Sequence, residues 1–173
     1  MDNFLIPFAG RGHKFTEDEV NTVVDVMKSA IPLTQGIHLN AFQKNFCDYF
    51  SVEHAFAVSN ATAALELAAQ CCQFEDGDEI IIPAHTYTAS AYPFLKKGAN
   101  IVWADIDSKT RVISAKNIEK HITKNTKAIV VVHLYGYGAD MPSIMALAAK
   151  KNILVIEDAA QALGVEIENQ LAG

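Results

Sequence analysis

The sequence lacks the features that would direct it to nucleic acid, a bilayer or a secretory route. Basic residues are in deficit, with 14 Lys and Arg against 20 Asp and Glu and a net charge of −6, and they are scattered rather than gathered in a stripe. This excludes the electrostatic footprint of a nucleic-acid binder. No apolar run approaches the roughly 18 residues that a membrane span needs. The opening "MDNFLIPFAGRGHKF" has neither the basic lead nor the long apolar centre of a signal peptide, so the expected location is the cytoplasm. Cysteine is scarce and odd in number: Cys47, Cys71 and Cys72 form neither a disulfide framework nor a CxxC clamp and read as buried free thiols. The six histidines show no HExxH spacing, so no metal site is expected. No GxxxxGK[ST] loop is present to hold the phosphates of a nucleotide hydrolase.

What the sequence does have is half hydrophobic residues over 173 positions, enough for a sizeable core. Thr16 with Glu19 three places on is a capping-box spacing, and Val20, Val23, Val24 and Met27 follow at helical intervals. Pro32 and Gly36 break that helix, and "HLNAFQKNFCDYF" resumes the period. From residue 55 short apolar strands alternate with helices: "AFAVS", "EIIIP", "NIVWADI", "AIVVVHL" and "ILVIED" are separated by "NATAALELAAQCC", "TYTASAYPFLKK", "AKNIEKHI" and "DMPSIMALAAKK". Five strands apolar on both faces predict an α/β fold with a mainly parallel sheet and right-handed crossovers. The expected organisation is a helical arm and lead-in over 1–54, then a large domain over 55–173. After Gly164 only "VEIENQLAG" follows, one short strand and a turn, which makes the chain read as the first part of something longer.

In parallel α/β sheets ligands gather beyond the carboxyl ends of the strands, so the residues just after each apolar run are the informative ones. After the first run, Ser59-Asn60-Ala61-Thr62 opens a helix and suits either a phosphate at the helix N-terminus or simple N-capping. After the second, Tyr87, with His85 near the same rim, suits either a stacking aromatic or core packing. After the fourth come His133, Tyr135 and a Gly136-x-Gly138 pair too short for a dinucleotide fingerprint. After the fifth, "VIEDAAQ" sets Glu157 and Asp158 at the tip of a buried strand, with Gln161 one turn into an expected helix "AAQALG". A carboxylate there caps that helix, or it meets a metal, an arginine or a protonated ring nitrogen. The last reading fits pyridoxal 5'-phosphate, whose protonated pyridine is strengthened as an electron sink by such an acid.

Taken in order, "LTQG" (33–36), "AVSNATAALELA" (57–68), "GDEIIIPAHTYTAS" (77–90), "GANIVWADID" (98–107), "TKAIVVVHLYG" (126–136) and "VIEDAAQALG" (155–164) resemble the DegT/StrS-type sugar aminotransferases, which are fold type I pyridoxal phosphate enzymes. The likeness runs from Ile6 to the last residue. It implies the three-layer α/β large domain of the aspartate aminotransferase-like transferases, incomplete at the C-terminus. It further implies pyridoxal 5'-phosphate as cofactor, with Asp158 on the pyridine nitrogen, Gln161 on the ring oxygen, Tyr87 stacked on the ring, and Ala61 and Thr62 in the phosphate-binding turn. The family more often has Gly-Thr there, so Ala61 requires a turn with negative φ.

The resemblance also implies what the chain does not contain. The family's Schiff-base lysine, a phosphate-holding serine, the small C-terminal domain and the loop that completes the partner's site in a homodimer all fall after Gly173, so no catalytic residue is assigned within these 173 positions. The implied activity is amino transfer, with glutamate as donor, onto a keto group of a nucleotide-linked deoxysugar, and this chain alone is expected to be inactive and weakly stable. Relatives with histidine in place of the lysine act as sugar dehydratases, a second reading. A non-catalytic binding or regulatory half-fold is the third. No role follows for Glu157 or His133.

Overall fold

The computed structural model describes residues 14–32 and 34–173; the start of the resemblance at Ile6 and the Leu33 landmark lie outside them. The chain forms two compact units, divided between Ala57 and Val58. In the first, α1 (Glu17–Ser29) begins at the expected capping box: the Thr16 side chain accepts from the Glu19 N–H while Glu19 reaches back to the Thr16 N–H. Helix α2 (Ile37–Phe50) carries a ladder of rings, Phe42, Phe46 and Phe50, with Phe46 and Phe50 stacked at 4.3 Å. Neither helix has a buried residue.

The second unit is built on a parallel four-stranded sheet. Its strands are β1 (Glu79–Pro83), β2 (Asn100–Ala104), β3 (Thr126–Val132) and β4 (Leu154–Asp158), in the order β2-β1-β3-β4. The helices are α3 (Ala61–Cys72), α4 (Tyr92–Lys96), α5 (Ala115–Glu119) and α6 (Met141–Lys151). Alternation along the strands sorts the core into two slabs. Ile80, Ile82, Ala128, Val130 and Val132 face one way and pack with Leu65 and Ala69 of α3 and Phe94 of α4. Ile81, Ile129 and Val131 face the other way and pack with Ile118 of α5 and Ile144 and Ala148 of α6. The period of two thus produces three layers, as expected of strands apolar on both faces. Each fully buried Ile or Val contributes about 1.5–3 kcal/mol of transfer free energy.

Several expected elements differ. "AFAVS" forms no strand: residues 55–59 join no ladder, and Phe56 and Val58 stand exposed, because an apolar run becomes a strand only where a neighbouring edge accepts its hydrogen bonds. The sheet therefore has four strands rather than five. The expected helix over 86–97 is a 3-10 turn (Thr88–Ser90) followed by the short α4, with Pro93 in the first turn of α4, where its missing N–H costs nothing. No helix follows Asp158 directly; residues 160–161 and 163–164 are turns. The last segment is a minimal hairpin, β5 (Glu166–Ile167) with β6 (Gln170–Leu171), rather than one strand. Of the three thiols only Cys72 is buried, and burial, with Cys71 beside it, pushes its pKa up. No helix among the described residues is long and apolar enough to cross a membrane.

Candidate functional site

The sheet order makes β1 and β3 neighbours although β2 lies between them in sequence. The chain leaves β1 to one side and returns on the other, so connections part at this point and open a crevice beyond the strand tips. A cleft of about 200 Å³ lies there. Its wall is drawn from four segments: the start of α3, the loop after β1, the end of β3 and the turn after β4. Ala61, Thr62, Tyr87, Asp158 and Gln161, separated by up to 100 positions in sequence, all line it.

At the α3 end, Asn60 is the N-cap; its side chain accepts from the Ala63 N–H at 2.9 Å, which settles the choice among Ser59, Asn60 and Thr62. Ala61 lies within the helix and is not among the residues of positive φ, so the condition on replacing glycine is met. The remaining first-turn N–H groups have no intrahelical acceptor and supply the positive end of the helix dipole to an anion.

At the opposite end, Asp158 closes β4 with 9% of its surface exposed. Its Oδ2 accepts from the Ser90 hydroxyl at 2.6 Å and its Oδ1 from the Ala160 N–H at 3.2 Å. Ser90, wholly buried, is in turn 2.7 Å from the Thr86 hydroxyl. Sequence reasoning missed these two residues as part of the site, although a hydroxyl pair four positions apart just past a strand tip is the signal that would have found them. Tyr87 is 70% exposed on the rim, a ring available for stacking rather than a core residue. His85 is absent from the lining; its ring meets Tyr135 edge-on at 6.2 Å.

Gln161 lies in a turn rather than on a helix face, and a different contact holds it: its Oε1 accepts from the Tyr135 N–H at 2.8 Å. A backbone N–H can only donate, so the amide oxygen is fixed toward Tyr135 and the NH₂ group remains as donor. The backbone that aims this N–H is left-handed at Tyr135, φ 57°, a conformation uncommon for a residue with a Cβ. Gly138 serves packing: a Cβ there would stand 2.7 Å from Ile167 Cγ1.

The two residues left without a role acquire one. His133 is wholly buried; its Nδ1 accepts from the Ala139 N–H at 3.1 Å, which places the ring proton on Nε2, and Nε2 lies 2.9 Å from Glu157 Oε2. That hydrogen bond holds the Glu157 carboxyl below its ordinary value against partial burial, and the Gly173 N–H adds to the lowering. The His133 N–H donates to the Asp158 carbonyl at 3.1 Å, so the pair braces the tips of β3 and β4 beneath the cleft. Among the described residues no cluster of His, Cys, Asp and Glu could hold a metal.

Comparison with known proteins follows the same outline. The family model described as the DegT/DnrJ/EryC1/StrS aminotransferase family matches residues 13–173. A GDP-perosamine synthase of Escherichia coli O157:H7 is 37% identical over 158 residues, covering 91% of this chain and 43% of the relative. The crystal structure of an aminotransferase from Psychrobacter cryohalolentis superposes with a TM-score of 0.82 at 37% identity, covering 91% of this chain and 40% of that one. An E. coli GDP-4-keto-6-deoxy-D-mannose-3-dehydratase with bound hydrated PLP superposes with a TM-score of 0.86 at 25% identity, covering 94% and 43%. The chain spans less than half the length of these relatives. The cleft at the crevice of a parallel sheet, the three-layer fold and the match along nearly every position agree, and the chain belongs to the DegT/DnrJ/EryC1/StrS aminotransferase family.

Proposed function

We propose that this chain carries the pyridoxal 5'-phosphate-binding part of an enzyme that transfers an amino group from glutamate to a keto group of a nucleotide-linked deoxysugar. The observation that carries the reading is the buried carboxylate of Asp158 at the floor of a cleft that has a helix N-terminus at one end and an exposed aromatic ring on its rim. The donor set fits the cofactor group by group. Asp158 is an acceptor for a protonated ring nitrogen, the Gln161 NH₂ a donor for the ring oxygen, Tyr87 a stacking face, and the first turn of α3 with the Thr62 hydroxyl a seat for the phosphate. When bound, the cofactor supplies an electron sink for reactions at an amine carbon. The protein's part is to hold it: Asp158 would keep the ring nitrogen protonated, and the Tyr87 ring would offer a stacking face.

No lysine lines the cleft among the described residues; Lys96 and Lys97 at the end of α4 and Lys150 and Lys151 at the end of α6 are exposed. The described cleft residues hold the cofactor through hydrogen bonds, stacking and charge rather than through a lysine, and we assign the activity to a homodimeric, cytoplasmic protein. Titration with pyridoxal 5'-phosphate, followed by borohydride and peptide mapping, tests this: saturable binding with no cleft residue labelled is expected, and stoichiometric labelling with amino transfer to a keto sugar would overturn it. The likeness to a sugar 3-dehydratase favours a second reading, the same cofactor used for dehydration. Assay of the complete protein for amine incorporation against water loss decides between them.

A further inference from the structure

The Asp158 carboxylate is reached by a second residue that no sequence motif announced. Ser90 sits in the 3-10 turn after β1, 68 positions away, with none of its surface exposed, and its hydroxyl donates to Asp158 Oδ2 at 2.6 Å. The direction of this bond fixes the next one. An ionised carboxylate only accepts, so the single Ser90 proton is committed to Asp158, and the 2.7 Å contact with Thr86 must be a bond in which the Thr86 hydroxyl donates. Donation from Thr86 polarises the Ser90 hydroxyl and strengthens its own donation. Oδ1 is meanwhile held by the Ala160 N–H at 3.2 Å. Both oxygens are pinned by residues of the cleft wall, Ser90 and Ala160, which fixes the plane of the carboxylate and leaves its remaining lone pairs to a donor in the cleft.

We propose that Thr86 and Ser90 form a directed hydroxyl relay, Thr86 to Ser90 to Asp158, that positions the Asp158 carboxylate for a cationic ring N–H in the cleft. Both are positioning residues, acting through Asp158 rather than on the ligand. The inference rests on the reading of Asp158 given above and adds to it the element that aims the acid.

The test compares two ligands on the 173-residue chain: pyridoxal 5'-phosphate and its 1-deaza analogue, which has carbon in place of the ring nitrogen. The wild type is expected to prefer the natural cofactor, and Ser90→Ala to reduce the ratio of the two dissociation constants by about tenfold, the scale of a hydrogen bond to a charged group. Ser90→Thr, which keeps the hydroxyl, retains the preference. Thr86→Val, at a half-buried position that the fold tolerates more readily, reduces it by a smaller factor and carries the test if Ser90→Ala fails to fold by circular dichroism. A merely structural role would weaken both ligands equally and leave the ratio unchanged, which overturns the relay alone. A wild type that binds both ligands equally overturns the ring-nitrogen assignment and the relay with it.

Discussion

The imidazole of His133 is held between the Ala139 N–H at Nδ1 and the Glu157 carboxylate at Nε2, 3.1 and 2.9 Å away. The ring is thus a neutral connector, accepting on one side and donating on the other, and it joins the end of β3 to the end of β4 directly beside Asp158.

The Glu157 carboxyl is held below its ordinary value near 4.5, first by the His133 hydrogen bond. A group whose folded value is depressed adds stability that is fully present above the unfolded value and is lost as pH falls through the folded one. Glu157→Gln is expected to cost about 1–2 kcal/mol at pH 7, and the gap to the wild type should close as pH is lowered from about 5 toward 3. Urea unfolding at a series of pH values measures it; a gap independent of pH would contradict the assignment.

Asn60 supplies the side-chain cap of α3, accepting from the Ala63 N–H. Asn60→Ala is expected to lower stability by about 1 kcal/mol, and Asn60→Asp, which keeps an acceptor and adds charge at the helix's positive end, to retain it. The comparison is made by denaturant midpoints at constant slope.

Phe94 is wholly buried and meets Phe74 edge-on at 6.2 Å. Phe94→Ala is expected to cost about 3–5 kcal/mol, whereas Tyr92→Ala, two positions earlier and more than half exposed, should change stability by less than about 0.5 kcal/mol. Thermal unfolding of the pair separates the buried from the exposed side of α4.

Asp158→Asn replaces the buried charge by an amide of the same shape. Affinity for pyridoxal 5'-phosphate is expected to fall by about tenfold or more, and Tyr87→Ala to weaken it by a few-fold at most, as suits an exposed stacking face. Absorbance titration at neutral pH reads both, and unchanged affinity in Asp158→Asn would remove that residue from the cofactor site.

Much of this was legible in the residues. The alternation that splits Ile80 and Ile82 from Ile81, and Val130 from Ile129 and Val131, is present in the sequence and predicts a sheet covered on both faces. The Thr16–Glu19 box marks the start of α1. The strand-tip rule offered a set of candidates, the family resemblance narrowed them to five, and those five line one cleft. These features depend on local chemistry or on a period, and both are written along the chain.

What the chain alone did not decide are the relations between distant segments. "AFAVS" has the composition of a strand and no edge to pair with, and "AAQALG" has the composition of a helix while its Gln161 is taken by the N–H of Tyr135 from another loop. Glu157 and His133, 24 positions apart, and Ser90 and Asp158, 68 apart, find each other only because β1, β3 and β4 end side by side. The sequence by itself determined the layers, the core and the carboxylate at the strand tip. The tertiary structure decided which groups hold that carboxylate, since a hydrogen bond is specified by position within about 3 Å, and only the packed sheet sets positions that finely.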